Sequence, residues 1–283
     1  MGTTDTEPSR TEDPGYIVGR TEHETQRLHR QGQLYGPLTR RLFMEAGIGP
    51  GMRVLDVGSG AGDVALLLAD LVGPTGTVVG IDTNAAILEG ARQRVRAVGW
   101  TNVTFVEGDI RSASFAEPFD AAVSRFVLVF VRDPADVLRA CARLVRPGGP
   151  VVSQEHDLLG SYRAFPPSPL LEQLLMWVNT LLTRQGIHAA TAYRLHEHYL
   201  TAGLPAPQIR EEAPIGGGAD WVGYATLVDH IRSVEPFLIE AGVTTRDELD
   251  VDTLADRLRA EVVGQRGVFR CLPAIGIWAR VPA

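Results

Sequence analysis

The stretch Val54-Leu55-Asp56-Val57-Gly58-Ser59-Gly60-Ala61-Gly62-Asp63 decides the fold. An apolar run from Met52 to Val57 meets three glycines at alternate positions, and a segment of helical pattern, Ala65 to Leu71, follows. A short continuous apolar run predicts a strand buried on both faces of a sheet. Glycines at its end predict a tight strand-to-helix turn whose backbone approaches a ligand closely. The spacing is Asp-x-Gly-x-Gly-x-Gly. The dinucleotide fingerprint would need glycine or alanine at position 63, where this chain has Asp63. A pyrophosphate favours a helix N-terminus without competing negative charge. Asp63, with Asp56 below the turn, argues against one and suits a ligand carrying positive charge.

Outward from this unit the alternation repeats. Thr77 to Ile81, Val103 to Val106, Phe119 to Ser124 and Pro150 to Gln154 read as strands, and Ala85 to Val98 and Ala135 to Leu144 as helices. Such alternation predicts an α/β fold with a doubly wound, mostly parallel sheet. Upstream, Thr21 to Ala46 reads as a helix on Leu28, Leu34, Leu38 and Leu42, stopped at Gly47. Residues 1–14 are polar and predict a disordered tail. Beyond residue 157 the rhythm changes. Pro169 to Thr183 is an amphipathic helix, Tyr193 to Ala202 another, and 208–213 and 275–281 are late strands. The segment 219–264 is helical and is expected to lie over the sheet's carboxyl edge as a lid, with Gly216-Gly217-Gly218 as its hinge. The expected organisation is a helical cap over 15–50, a cofactor-binding α/β core over 51–157, and the remaining sheet with its lid over 158–283.

The chain has 283 residues and a formal net charge of −7, and all 27 basic residues are arginine. No basic block accompanies this acidity, which argues against a nucleic-acid partner. Cys141 and Cys271 match no zinc or redox spacing and are expected as buried free thiols. No apolar run reaches the length of a membrane span. The expectation is a cytoplasmic protein, monomeric or homodimeric, with no metal and no membrane partner. His196-Glu197-His198 lacks the i, i+4 histidines of a helical zinc site.

Ligands of open α/β sheets bind beyond the carboxyl ends of the strands. Asp56, Asp82 and Asp109 all fall at such ends. Asp82, followed by Thr83, is placed to accept hydrogen bonds from both hydroxyls of a ribose. Asp109 is placed at an adenine edge with Ile110 over a ring face. Together they predict a nucleoside-type ligand. Arg125, after the fourth strand, is placed to pair with a ligand carboxylate, a surface ion pair being the alternative. The fifth strand runs into Ser153-Gln154-Glu155-His156-Asp157, where alternation points Glu155 and Asp157 to one side and His156 to the other. Glu155 or His156 is a candidate base or substrate anchor; the alternative for Glu155 is that it orders a loop at the strand end. Trp221, Tyr224 and His230 are candidate walls of an acceptor pocket, with core packing the alternative for the aromatics.

Residues 54–62, Asp82, Asp109 and the turn Leu144-Val145-Arg146-Pro147-Gly148-Gly149 resemble the class I S-adenosylmethionine-dependent methyltransferase family. The resemblance runs from about Met52 to Asp157 and more loosely onward. It implies a Rossmann-like sheet of seven strands, the last antiparallel, and S-adenosyl-L-methionine held by Asp56, Gly58, Ser59, Gly60, Gly62, Asp82, Thr83, Asp109 and Ile110. The expected activity is methyl transfer to O, N or C of a small natural-product-like acceptor. The alternative is the same fold using the cofactor structurally, as a cyclase or binding protein. Tyr16, Glu24, Arg27-Leu28 and Gln31 are similar to a small-molecule branch common in bacterial secondary metabolism. There the N-terminal helix closes over the cofactor, which implies that Gln31 or Tyr16 touches the methionine part and that Tyr16 also faces the acceptor.

Overall fold

A computed structural model describes residues 22–158, 160–185 and 191–283; the side chains of 22–29 and 191 are outside that description. Tyr16, His188 and the 1–14 tail lie outside the described residues, as do the side chains of His23, Glu24, Arg27, Leu28 and His29.

Strands β1 (Arg53–Val57), β2 (Thr77–Asp82), β3 (Val103–Glu107), β4 (Ala121–Arg125), β5 (Pro150–His156), β7 (Gln208–Glu212) and β10 (Ala274–Arg280) form one sheet. Its order is β3-β2-β1-β4-β5-β10-β7. β10 runs antiparallel to both β5 and β7, and the pairs among β1 to β5 are parallel. The sequence reversal beside β1 makes a switch point between β1 and β4, where such sheets bind ligands.

Helices α2 (Asp63–Val72) and α3 (Ala85–Ala97) and the C-terminal half of α1 (Glu22–Ala46) bury Val64, Leu68, Leu88, Leu42 and Phe43 on one face. α4 (Pro134–Leu144) and α6 (Thr191–Thr201) bury Leu138, Cys141, Leu195 and Tyr199 on the other. Both cysteines are free and buried. Among the described residues no helix is long and apolar enough to cross a membrane.

The third core lies past β5. It joins α5 (Pro169–Arg184), α7 (Gly223–Glu240) and α9 (Leu254–Gly264) to the N-terminal half of α1 through Leu34, Tyr35, Leu171, Leu227, Ile231 and Leu258. Arg30 on α1 grips Asp229 on α7 with two parallel hydrogen bonds of 2.6 and 2.5 Å. The 219–264 segment is helical as expected, but Thr245 and Glu248 form a reciprocal cap that starts a separate short helix, α8 (Arg246–Leu249).

Three strands escaped the sequence reading: β6 (Arg163–Phe165), β8 (Ile215–Gly216) and β9 (Val268–Arg270), a small sheet of order β6-β9-β8. Gly216 is part of it, and this corrects the expected hinge. A Cβ at Gly216 would lie 2.4 Å from the Trp221 ring, and one at Gly217 2.7 Å from the Gly267 carbonyl. These glycines serve close packing.

Candidate active site

Each glycine of the turn after β1 is left-handed: φ is 68° at Gly58, 50° at Gly60 and 84° at Gly62. That alternation is the physical content of the Gly-x-Gly-x-Gly spacing, since side chains rarely adopt this region. The Gly58 and Ser59 N–H groups donate to the Ile81 carbonyl at 2.8 and 3.1 Å, tying the turn to β2.

Asp82 reinforces the tie. Its Oδ2 accepts the Gly60 N–H and its Oδ1 the Asn84 N–H, each at 2.9 Å. Each carboxylate oxygen has a further lone pair for another donor. Exposed Thr83 stands beside it. Asp56 is buried, and its Oδ2 has no hydrogen-bond partner among the described residues; neither has Ser59 Oγ. Burial pushes the Asp56 carboxyl up to about 8, against the opposing pull of Arg125. The Arg125 guanidinium reaches Thr39 Oγ1 at 3.4 Å. Burial lowers its pKa, while Asp63 and Asp56 raise it.

Two readings of the acids change. Asp63, in the first turn of α2 after the capping Gly62, is bound to Arg94 at 2.7 Å. The guanidinium offsets the charge that was read as repelling phosphate. Asp109, just past β3, is engaged by Arg111 through three side-chain contacts of 2.6–3.0 Å. The Arg111 hydrogen bonds hold that carboxyl below its usual range. A donor on a ligand must share Asp109 with Arg111, while Ile110 beside it is buried.

At the tip of β5 the structure brings together side chains that the sequence keeps far apart. The Gln31 amide nitrogen lies 3.1 Å from His156 Nε2. The His156 ring stacks on Phe126 at 3.7 Å and meets Tyr35 edge-on at 4.8 Å. His230 of α7 stands edge-on to His156 at 5.5 Å and is hydrogen-bonded through Nδ1 to the Tyr162 hydroxyl. On the same α1 side, Gln154 Oε1 accepts the Thr39 hydroxyl at 2.6 Å. Glu155 points to the opposite face, fully buried, with Oε1 accepting the Val127 and Leu128 N–H groups at 3.0 and 2.8 Å. Burial raises its pKa to about 7 against those hydrogen bonds.

A family model described as a methyltransferase domain matches residues 48–198. The chain belongs to this methyltransferase family. It is 37% identical over 127 residues to the ubiquinone/menaquinone biosynthesis C-methyltransferase UbiE of Ectopseudomonas mendocina, covering 44% of this chain and 50% of that protein. It is 35% identical over 171 residues to the 2-phytyl-1,4-naphtoquinone methyltransferase of Synechococcus elongatus, covering 59% and 69%. The chain thus spans about half the length of the UbiE relatives. The YcgJ protein of Bacillus subtilis shares the fold with a TM-score of 0.53 at 19% identity, over 87% of this chain and 97% of that one. So does a Haemonchus contortus phosphoethanolamine N-methyltransferase 2 in complex with S-adenosyl-L-methionine, with a TM-score of 0.51 at 17% identity over 92% and 53%.

Trp221 and Tyr224 pack in the same third core as Tyr35, Phe126 and Tyr162. Trp221 fills the space over Gly216 and Gly223. Tyr224 is wholly buried against Phe269 at 5.4 Å, a core position rather than an open wall. Tyr35, Phe126 and Tyr162 escaped the sequence reading. Tyr35 lies next to Leu34 on the helical stripe, a usable signal; Phe126 and Tyr162 sit in loops, where no periodicity marks them.

Proposed function

We propose that this chain transfers a methyl group from S-adenosyl-L-methionine to a flat, hydroxylated aromatic acceptor of the quinone type. One observation carries the cofactor reading: two buried polar atoms, Asp56 Oδ2 and Ser59 Oγ, lack partners among the described residues in a left-handed glycine turn tied to Asp82. A buried polar group without a partner calls for an explanation, and for this pair, both at the glycine turn, a ligand supplies one. The set fits the group. In this reading Asp56 meets the cation, Asp82 the ribose hydroxyls, Arg125 the carboxylate and Ile110 a ring face. At Gly60 nothing lies closer than 3.9 Å to where a Cβ would stand, which leaves the backbone open to close approach. The bound sulfonium supplies an activated methyl group.

The chain's own contribution is alignment, dryness and a proton acceptor. Gln31 fixes the His156 ring, and Phe126 and Tyr35 hold its plane. The Gln31 amide donates to His156 Nε2; His156 takes a proton from the acceptor hydroxyl at that nitrogen as the hydroxyl displaces Gln31, and His230, oriented by Tyr162, anchors the acceptor's far side. The quinone class follows the named activities of the relatives, and the ring-rich tip of β5 supports it.

The test is incubation with methyl-labelled cofactor and a panel of hydroquinones and naphthols, read by mass spectrometry. A labelled aromatic product is expected, with His156→Ala cutting turnover about a hundredfold at saturating cofactor. No transfer to any member of the panel by chain that binds the cofactor removes the quinone class. Full turnover by His156→Ala removes the base.

A further inference from the structure

Three consecutive residues of β5 hold the loop that follows β4. The Gln154 carbonyl accepts the Phe126 N–H at 2.8 Å. Glu155 Oε1 takes the next two N–H groups, of Val127 and Leu128. The His156 ring lies flat on Phe126. The loop needs holding, because Phe126 has φ 57°, a conformation that costs a bulky residue on the order of 1 kcal/mol or more.

The same loop presses on the turn of the proposed cofactor site. A Cβ built at Gly58 would lie 2.5 Å from Val127 Cγ2 and 2.9 Å from Cγ1. Val127 therefore packs against the first glycine of the turn with no room to spare. Leu128, 1% exposed, anchors the loop's other end in the core that holds Leu138 and Tyr199. Glu155 lies on that side, its neighbour across β10 being the apolar Ile275. Its Oε2 has no hydrogen-bond partner among the described residues. A fully buried carboxyl with one oxygen unsatisfied is costly as packing. Its return is two backbone donors that no apolar side chain could satisfy.

We propose that Glu155 is a positioning residue: its carboxyl clamps Val127 and Leu128 so that Val127 is held against Gly58, and the shape of the cofactor turn depends on that clamp. It does not serve as the base, since it lies beneath the loop on the face of the sheet opposite Gln31 and His156. The inference rests on the cofactor reading above and assigns the regulation of that site's geometry to a residue outside it.

The experiment measures S-adenosylhomocysteine affinity by calorimetry at one pH, with thermal midpoints, for the full chain and for Glu155→Gln, Glu155→Leu, Val127→Ala and the Glu155→Leu/Val127→Ala pair. The amide oxygen of glutamine still accepts both N–H groups, so Glu155→Gln should bind within about threefold of wild type. Leucine cannot, and affinity should fall by roughly tenfold or more well below the variant's unfolding temperature. Val127→Ala should weaken binding on its own but add little in the Glu155→Leu background, because the two act through one contact. Glu155→Leu binding as wild type does, Glu155→Gln failing as leucine does, or full additivity of the pair would each overturn the clamp. A folded wild-type chain that binds neither S-adenosylhomocysteine nor the methyl donor would overturn the cofactor reading and the clamp together. Should Glu155→Leu fail to fold, Val127→Ala decides: wild-type affinity there refutes the proposal.

Discussion

Replacing Asp56 by asparagine tests whether its orphaned oxygen receives the cofactor's ammonium. Burial pushes this carboxyl up to about 8. At pH 7 it is therefore mostly protonated, and ionising it to meet a cation costs about 1.4 kcal/mol, one pH unit's worth. At pH 6 the cost is about twice that. If binding requires the carboxylate, affinity rises about tenfold from pH 6 to pH 7, and near pH 7 most of one proton is released per molecule bound. The ligand's own amine stays charged across this window, its reference pKa being about 7.7–8.0. Calorimetry of S-adenosylhomocysteine binding in two buffers of different ionisation enthalpy reads both quantities. Asp56→Asn should flatten the pH dependence and remove the buffer dependence. The sign for the empty protein is the reverse. An acid whose folded pKa is raised contributes its stability at low pH and loses it as pH climbs from about 4 toward 8. Asp56→Asn should not show that loss. A wild-type affinity that is flat from pH 6 to 7, with no buffer dependence, would refute the reasoning.

Three further predictions follow the same geometry. Gly58→Ala combines a left-handed φ with a 2.5 Å collision against Val127, so it should lower stability by about 2 kcal/mol in urea unfolding and weaken cofactor binding more than Gly148→Ala, a left-handed glycine with open space around it. Asp229→Ala leaves Arg30 without its bidentate partner; Asp229 is 9% exposed and Arg30 32%, and the loss should be about 1–3 kcal/mol, with faster hydrogen exchange in α7. Glu155 has its folded pKa raised to about 7, so the wild-type chain should lose stability between pH 4.5 and 7 relative to Glu155→Gln, by up to about 3 kcal/mol in pH-resolved denaturant titrations.

The parallel sheet was legible because β1, β2, β4 and β5 are buried on both faces and so are written as apolar runs; β3, at the sheet edge, is exposed except around Phe105. The small sheet was not. β8 has two residues and β6 and β9 three each, too few to display a period of two. In the site, the glycine turn was readable since only glycine accepts its dihedrals at low cost. Asp82 was readable as the last residue of a strand beside that turn. The state of Asp109 was not, because it depends on Arg111 folding back two residues away. The neutralisation of Asp63 by Arg94 joins two helices whose spacing no local pattern encodes. The cluster of Gln31, Tyr35, Phe126, His156 and His230 comes from α1, a loop, β5 and α7. Long-range assembly of that sort is a product of topology. Composition and periodicity carry no trace of which face of α7 meets which tip of the sheet.

A crystal structure of the full chain grown with S-adenosylhomocysteine tests the central claim most directly. The account predicts the ribose hydroxyls on the Asp82 carboxylate and the amino-acid end beside Asp56, Ser59 and Arg125. Density for the ligand away from the glycine turn, or a turn left empty at saturating ligand, would contradict it.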